Sequence, residues 1–336
     1  MASPIRVGII GMGKMGQLRA HYVNQRDDME LVAISDISRE QSLPYPGATW
    51  YDDYRELINA DLDAVYGCAF NNVLPDICIR ALGAGKHVFC EKPPGRNVAD
   101  VERIREAELA NPGLKLMFGF NHRCHYSIME TKSMIDSGDF GKILWMRGTY
   151  GKCGSLHYED AWRNRAEVSG GGILIDQGIH MLDLFRHFCG DFKDVKSMVE
   201  TSFWKIPVED NAFALLRNEA GQVAMVHSSA TQWKHRFTLD ICLEGGYINI
   251  NGLITSTRSY GDESITFARK EFEDRTNAFG RPREQTIFFD RDDSWKIECD
   301  NFARAINEDL PVTSGNSQDA LAAMDLIARI YAGDKG

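Results

Sequence analysis

The sequence predicts an α/β protein: an N-terminal Rossmann-type, doubly wound parallel sheet, followed by a second α/β domain with an open, predominantly antiparallel sheet. Three observations carry this expectation. The first third alternates short β-like runs with helical patterns, the grammar of a parallel sheet covered by helices. A glycine turn, Gly11-Met-Gly13-Lys-Met-Gly16, directly follows the first of those runs. Beyond residue 121 the periodicity changes to long alternating stretches, which read as largely antiparallel strands. The expected domains are therefore 1–121 and 122–336.

Bulk composition agrees with two ordinary globular domains. The 336 residues are 43% apolar and 26% charged, with 38 basic against 48 acidic residues and a formal charge of −10. Such a chain is too apolar for disorder and too acidic for bulk attraction to nucleic acid or an anionic membrane, so neither is an expected partner. No run reaches the roughly 18 uninterrupted apolar residues of a membrane span, and the N-terminus has no apolar stretch behind a basic one. A soluble cytoplasmic protein is the expectation. The eight cysteines are scattered without a C-x-x-C pair, so reduced, mostly buried thiols are expected.

In the first domain, strands are expected at 6–10, 31–35, 64–69, 87–90 and 115–120. The first helix follows the glycine turn, with Met15, Leu18 and Tyr22 at helical spacing. Others are expected near 54–59, 75–84 and 100–110, the last capped by Asn97 with Asp100 three positions on. In the second domain a helix near 128–137 precedes alternating stretches such as 142–150, 222–230, 236–244 and 247–251. Over 236–244, Phe237, Leu239, Ile241 and Leu243 fall on one face, Thr238, Asp240, Cys242 and Glu244 on the other. Residues 261–293 are charged and lack periodicity over 271–275 and 281–284, so a hairpin or arm is expected. Within it the acidic run 290–293 reads as a solvated turn. Helices near 296–307 and 318–331 close the chain.

The glycine turn carries the first functional signal, because it sits between a strand and a helix. There its glycines permit a tight turn, close approach of a pyrophosphate and close helix–strand packing, while the helix N-terminus supplies N–H groups and a positive dipole end. Gly11, Gly13, Lys14, Met15 and Gly16 are thus expected to hold a dinucleotide. Asp36 closes the second strand twenty residues after Gly16, the separation at which a carboxylate accepts from the adenosine ribose hydroxyls. A carboxylate there repels the 2′-phosphate of NADP, so NAD is the expected cofactor; nearby Arg39 leaves NADP open.

Lys92 lies just past the end of a strand, in Glu91-Lys92-Pro93-Pro94. In an open α/β sheet ligands bind along that edge, which also gathers the glycine turn, Asp36, Asn71 and Glu91. The second signal is the segment Gly170 to Phe188. At 100° per residue Asp176, His180, Asp183 and His187 fall within about 60° of one another on a helix that is otherwise apolar. A buried helix must pair or use its ionisable groups. Either His180 and Asp183 satisfy each other in the core, or the stripe faces a cleft with His180 as acid/base group, Asp176 as an orienting contact and Asp183 behind them.

These residues resemble the Gfo/Idh/MocA oxidoreductases, which include glucose–fructose oxidoreductase and inositol dehydrogenases. The glycine turn, Ala84-Gly-Lys-His-Val-Phe-Cys-Glu-Lys-Pro, Asn121-His-Arg123, Trp162-Arg163 and Asp176-x-Gly178-x-His180 occur in the family's order along nearly the whole chain. The resemblance implies a catalytic set of Lys92, Asp176 and His180, NAD-side contacts that extend to Asn71, Glu91, Lys92 and Asn121, and Arg123, Trp162 and Arg163 beside Lys92, Asp176 and His180 around the substrate. It implies hydride transfer between the nicotinamide and a secondary alcohol of a sugar, sugar derivative or cyclitol, and a homodimer or homotetramer built through the C-terminal sheet. The chain departs from the family in having Ala69-Phe70-Asn71-Asn72 where Thr-Pro and a later His are common. A non-catalytic NAD-binding regulator and an NAD-dependent glycosidase of the same fold are the alternatives. His122, Cys124 and His125 fit no familiar zinc spacing, so no metal is expected.

Overall fold

The protein is described by a computed structural model over residues 3–271 and 280–333; residues 272–279, part of the expected 261–293 arm, lie outside the described residues. The chain divides into two units. One comprises Met1–Asn121, Glu167–Gly170 and Trp295–Asp325, the other His122–Ala166, Gly171–Ser294 and Leu326–Gly336.

The first unit holds six strands: β1 (Ile5–Ile10), β2 (Met29–Ser35), β3 (Thr49–Tyr51), β4 (Ala64–Gly67), β5 (His87–Cys90) and β6 (Leu116–Phe118). They pair in parallel in the order β3-β2-β1-β4-β5-β6. The three-residue β3 is an addition to the expected set, too short to show a period. Chain direction across the sheet reverses between β1 and β4, so a crevice opens at the carboxyl ends of those two strands. Val7, Ile9, Ile34, Tyr66 and Phe89 are fully buried, as a sheet covered on both faces requires.

Two sequence expectations change here. The helix Lys14–Val23 buries Gly16, Arg19, Ala20 and Val23, while Met15, Leu18 and Tyr22 are only half-buried. Small Gly16 and Ala20 let the helix approach the sheet, and Arg19 enters the core by bringing charge partners with it. Residues 295–325, expected in the second domain, cluster with the first unit. Their apolar face is the reason: Cys299, Phe302 and Ala303 join the core of Val7, Ile9 and Tyr66, with the Tyr66, Phe89 and Phe302 rings 5.0–5.6 Å apart. The expected cap of the helix Val98–Ala110 is present, Asn97 Oδ1 accepting from the Asp100 amide at 3.0 Å.

The second unit is built on β7 (Ile143–Gly151), β8 (Phe192–Glu200), β9 (Asn211–Asn218), β10 (Val223–Ser229), β11 (Arg236–Leu243), β12 (Gly246–Asn251), β13 (Glu263–Arg269) and β14 (Gln285–Phe289). Their order is β14-β13-β12-β11-β7-β10-β9-β8. All neighbours run antiparallel except the central pair β7 and β10. The β13–β14 pair is the expected hairpin. One face of the sheet packs under the helix Ile179–Cys189, whose Met181 fills the space a side chain at Gly148 of β7 would need. The other face leaves Trp145, Met198, Phe213, Leu215, Val223 and Met225 at 39–68% exposure.

Of the eight cysteines, expected to be mostly buried, Cys78, Cys90, Cys124 and Cys299 are buried and Cys68, Cys153, Cys189 and Cys242 half-buried. The run 290–293 is more than a solvated turn: Asp293 accepts from the Tyr126 hydroxyl at 2.6 Å and Asp292 from the Ser294 amide at 2.9 Å, at the start of the helix Ser294–Asn307. No helix among the described residues is long and apolar enough to cross a membrane.

Candidate active site

In the first unit the candidate residues stand at the carboxyl ends of the strands. Gly11 ends β1 with φ +90°, a backbone few side chains tolerate, and a Cβ there would lie 2.6 Å from the Cys68 carbonyl oxygen after β4. A Cβ on Gly16 would meet the Gly11 carbonyl oxygen at 2.0 Å, so the helix sits directly on the turn. Before Gly13 there is open space, with nothing within 4 Å of where a Cβ would stand. Lys14 is exposed, Met15 half-buried, and no side chain caps the helix Lys14–Val23. This is a backbone cradle that fits a pyrophosphate: two glycines close the turn and the third leaves room for a ligand against the helix N-terminus. Asp36 is held beside it, Oδ2 accepting from the Met12 amide at 2.6 Å and Oδ1 from the Ser38 amide at 2.9 Å.

Two residues expected on the cofactor side have other work. Glu91 is buried and accepts from Arg19 Nε at 2.7 Å, while Arg19 Nη2 donates to Glu298 at 2.7 Å. The guanidinium carbon lies 4.2 Å from the centre of the Phe89 ring and 4.8 Å from that of Trp295. Burial alone would lower the Arg19 pKa, but the two carboxylates more than offset it and raise it. Glu91 is therefore a structural charge partner, and Arg19, unmarked in the sequence, is the reason it is there. Asn71 donates its side-chain N–H to the Ser169 carbonyl at 2.9 Å. Lys92 is half-buried, its peptide to Pro93 is cis, and Asn121 is buried.

In the second unit the expected stripe is rearranged. Leu174–Gly178 forms a π-helical turn that runs into the α-helix Ile179–Cys189, so Asp176 and His180 do not share one continuous α-helical face. Such turns recur at functional sites. Asp176 sits between two cations, accepting from Lys152 Nζ at 2.9 Å and from Arg163 Nε at 3.1 Å, with Trp162 stacked 4.5 Å from the Arg163 guanidinium carbon. Asp183, expected behind His180, is clasped by Arg123 through Nε at 2.8 Å and Nη2 at 2.6 Å, a forked pair buried at both ends. Arg123, expected at the substrate, thus braces the helix that carries His180.

His180 itself is 4% exposed and stacks on His122, the rings 3.6 Å apart and 18° from parallel. His122 Nε2 lies 3.1 Å from the Tyr150 hydroxyl. Burial pushes the Tyr150 pKa well up and that of Tyr260, whose ring is 5.4 Å away, to about 12. Both are neutral hydroxyls at physiological pH. His125 instead faces Glu263, Nδ1 at 2.8 Å from Oε2. Lys152, on Asp176, was not among the residues expected at the site. Its signal was the one used for Lys92, a lysine placed just past a strand end, β7.

Comparison with known proteins identifies the family and the fold. Residues 5–120 match the oxidoreductase family's NAD-binding Rossmann fold and residues 128–249 match the GFO/IDH/MocA C-terminal domain. The chain is 32% identical over 235 residues to myo-inositol 2-dehydrogenase of Thermotoga maritima, 67% of this chain and 68% of that one. It is 34% identical over 212 residues to D-glucoside 3-dehydrogenase of Escherichia coli, 61% of this chain and 59% of that one. A levoglucosan dehydrogenase solved with NADH and levoglucosan has the same fold, with TM-score 0.86, 21% identity and coverage of 99% and 97%. With both halves matched and the inositol dehydrogenase aligned over two thirds of each chain, this protein belongs to the Gfo/Idh/MocA family of oxidoreductases.

Proposed function

We propose that the protein is an NAD-dependent dehydrogenase acting on a secondary alcohol of a neutral sugar, sugar derivative or cyclitol. The observation that carries this is the pairing of chemistries in the second unit: a buried imidazole, His180, and a carboxylate, Asp176, whose charge two cations already balance. That carboxylate can accept a substrate hydroxyl without drawing a cation in its place. The relatives that oxidise inositol and glucosides support the same substrate class.

In this reading residues 1–121 hold the cofactor, with Gly11, Gly13, Lys14, Met15 and Gly16 around the pyrophosphate, Asp36 on the adenosine ribose, and Lys92 and Asn121 nearby. Bound NAD supplies the hydride acceptor. His180 takes the hydroxyl proton, Lys92 donates a hydrogen bond to the oxygen as it gains negative charge, and Asp176 orients the substrate. Trp162 and Arg163 line the substrate, and Arg123 positions the helix that carries His180. Six exposed large apolar side chains among the described residues share the outer face of the eight-stranded sheet, which fits a self-association surface in a homodimer or homotetramer.

The test is NAD⁺ reduction across a panel of cyclitols, aldoses and glycosides. Lys92→Ala and His180→Ala should each lower turnover by about 10²–10⁴ while leaving NAD⁺ affinity largely intact; unchanged turnover in both overturns the assignment. A preference for NADP⁺ overturns the reading of Asp36. Tight NAD⁺ binding with no substrate oxidised marks a regulator, and aglycone release without net NADH a glycosidase. Leu215→Asp on the outer face should reduce the assembly seen by sedimentation.

A further inference from the structure

The second unit carries an aromatic platform that the reaction above leaves unused. Tyr158, Trp204, Phe203 and Trp233 touch in series, with ring centres 5.0 Å apart for Tyr158–Trp204, 5.2 Å for Trp204–Phe203 and 4.9 Å for Phe203–Trp233. The inner end is anchored: Tyr158 is buried, and Trp204 packs on the cluster it forms with Ile173, Ile206, Val208 and Ala230. The outer end is open, Phe203 at 60% and Trp233 at 63% exposure. The buried-end loop is clasped rather than loose. Asp210 accepts from the backbone amides of Ser202, Phe203 and Trp204 at 2.8, 2.8 and 2.9 Å, and the Trp204 indole donates to the Ala230 carbonyl at 2.9 Å. Burial pushes the Asp210 carboxyl up, but the amides outweigh it and hold it below its ordinary value.

The platform borders an open cavity of about 500 Å³ where His157, Glu159, Asp160 and Lys205 stand beside Tyr158, Phe203 and Trp204. Lys152 joins it to the candidate catalytic set. Its Nζ is 2.9 Å from Asp176 and 5.3 Å from the centre of the Tyr158 ring, so it links the carboxylate to the buried inner end of the platform, from which the stacked rings lead outward to Phe203 and Trp233. A pyranose ring is complementary to such a surface: its C–H face packs on aromatic rings while its edge hydroxyls donate to carboxylates. Rigid aromatic area bound this way costs little conformational entropy. Lys152 and Lys205 beside the carboxylates weigh against a cationic ligand, and those carboxylates against an anionic one.

We propose that this platform is a second sugar subsite, so that the preferred substrate is a glycoside of at least two rings, one at Asp176 and His180 and the next on Phe203 and Trp233. The inference rests on the dehydrogenase reading and narrows its substrate class. The experiment compares kcat/KM for glucose with that for maltose, cellobiose and trehalose, and for myo-inositol with its galactoside, on NAD-loaded protein. Titration of tryptophan fluorescence with the same sugars gives binding independent of turnover. In the wild type at least one two-ring sugar should exceed its single ring by roughly tenfold in both measurements, and Phe203→Ala or Trp233→Ala should bring that ratio close to one, with Trp233→Phe intermediate. The ratio is internal to each variant, so partial misfolding does not mimic the effect. NADH formation with ratios near one throughout the wild type overturns the subsite and leaves the dehydrogenase reading standing. A two-ring preference in binding with no sugar oxidised does the reverse. A preference that survives both alanine variants, or variants that change only the sedimenting assembly, also overturns the subsite, the latter by making the platform a contact between copies.

Discussion

Each unit contains a triplet of charges, and the two are mirror images. In the first, the cation Arg19 lies between Glu91 and Glu298, its side chain 0% exposed and theirs 6% and 1%. In the second, the anion Asp176 lies between Lys152 and Arg163, with side-chain exposures of 15%, 16% and 45%. The sealed triplet ties the helix Lys14–Val23 and the end of β5 to the 295–325 segment and is almost wholly withdrawn from solvent. The open triplet keeps one flank in contact with solvent, where a substrate can replace water. Burial, more than the presence of ionisable groups, separates the charge cluster that holds the fold from the one suited to chemistry.

That contrast predicts a graded series. Arg19→Met should have the largest effect, because it strands two buried carboxylates: a loss of about 3–5 kcal/mol, measured by urea unfolding. Adding Glu91→Gln and Glu298→Gln should recover part of it. A loss below about 1 kcal/mol would erase the distinction between the triplets. Asp176→Asn should invert the pattern, lowering kcat/KM at least tenfold while shifting stability by no more than about 1 kcal/mol, since its partners remain partly hydrated.

The pair of His125 and Glu263 gives a third, smaller effect that depends on pH. Burial raises the Glu263 pKa, but the hydrogen bond and charge of His125, with hydrogen bonds from Ser127 and the Ile254 amide, outweigh it and leave the carboxyl below its ordinary value of 4.5. The unfolded chain therefore takes up the proton first as pH falls. Stability from this site is complete above about 4.5 and is lost as pH drops through the lowered folded value. Acid unfolding of Glu263→Gln should be correspondingly shallower over that window. Smallest of all, Arg147→Ala removes an ion pair with Asp240 on the exposed sheet face and should move the thermal midpoint by the equivalent of about 0.5 kcal/mol or less.

What could be read from the sequence was local. The turn from β1 into its helix, Asp36 at the end of β2 and the Asn97 cap are encoded within a few residues or a fixed spacing, and all three stand where expected. The stripe on 176–187 was half legible: the helix is buried as its composition demands, but a π turn and the distant Arg123 redirect Asp176 and Asp183. Arg19 was hidden because a single arginine on an amphipathic stretch reads as solvent-facing until Glu298, far along the chain, meets it. The parallel pairing of β7 with β10 was likewise out of reach, since alternation marks a strand but not the direction of its neighbour.

The π turn at Leu174–Gly178 bears on how this protein could be altered. A π turn is an α-helix that has taken in one extra residue, kept despite poorer hydrogen bonding. Removing Gln177 would let the helix run on unbroken from Leu174, improving its local stability while turning Asp176 away from the face it now presents. On the proposed role of Asp176 the segment stores function as a defect: selection for thermal stability alone would favour its loss, and selection for activity its retention.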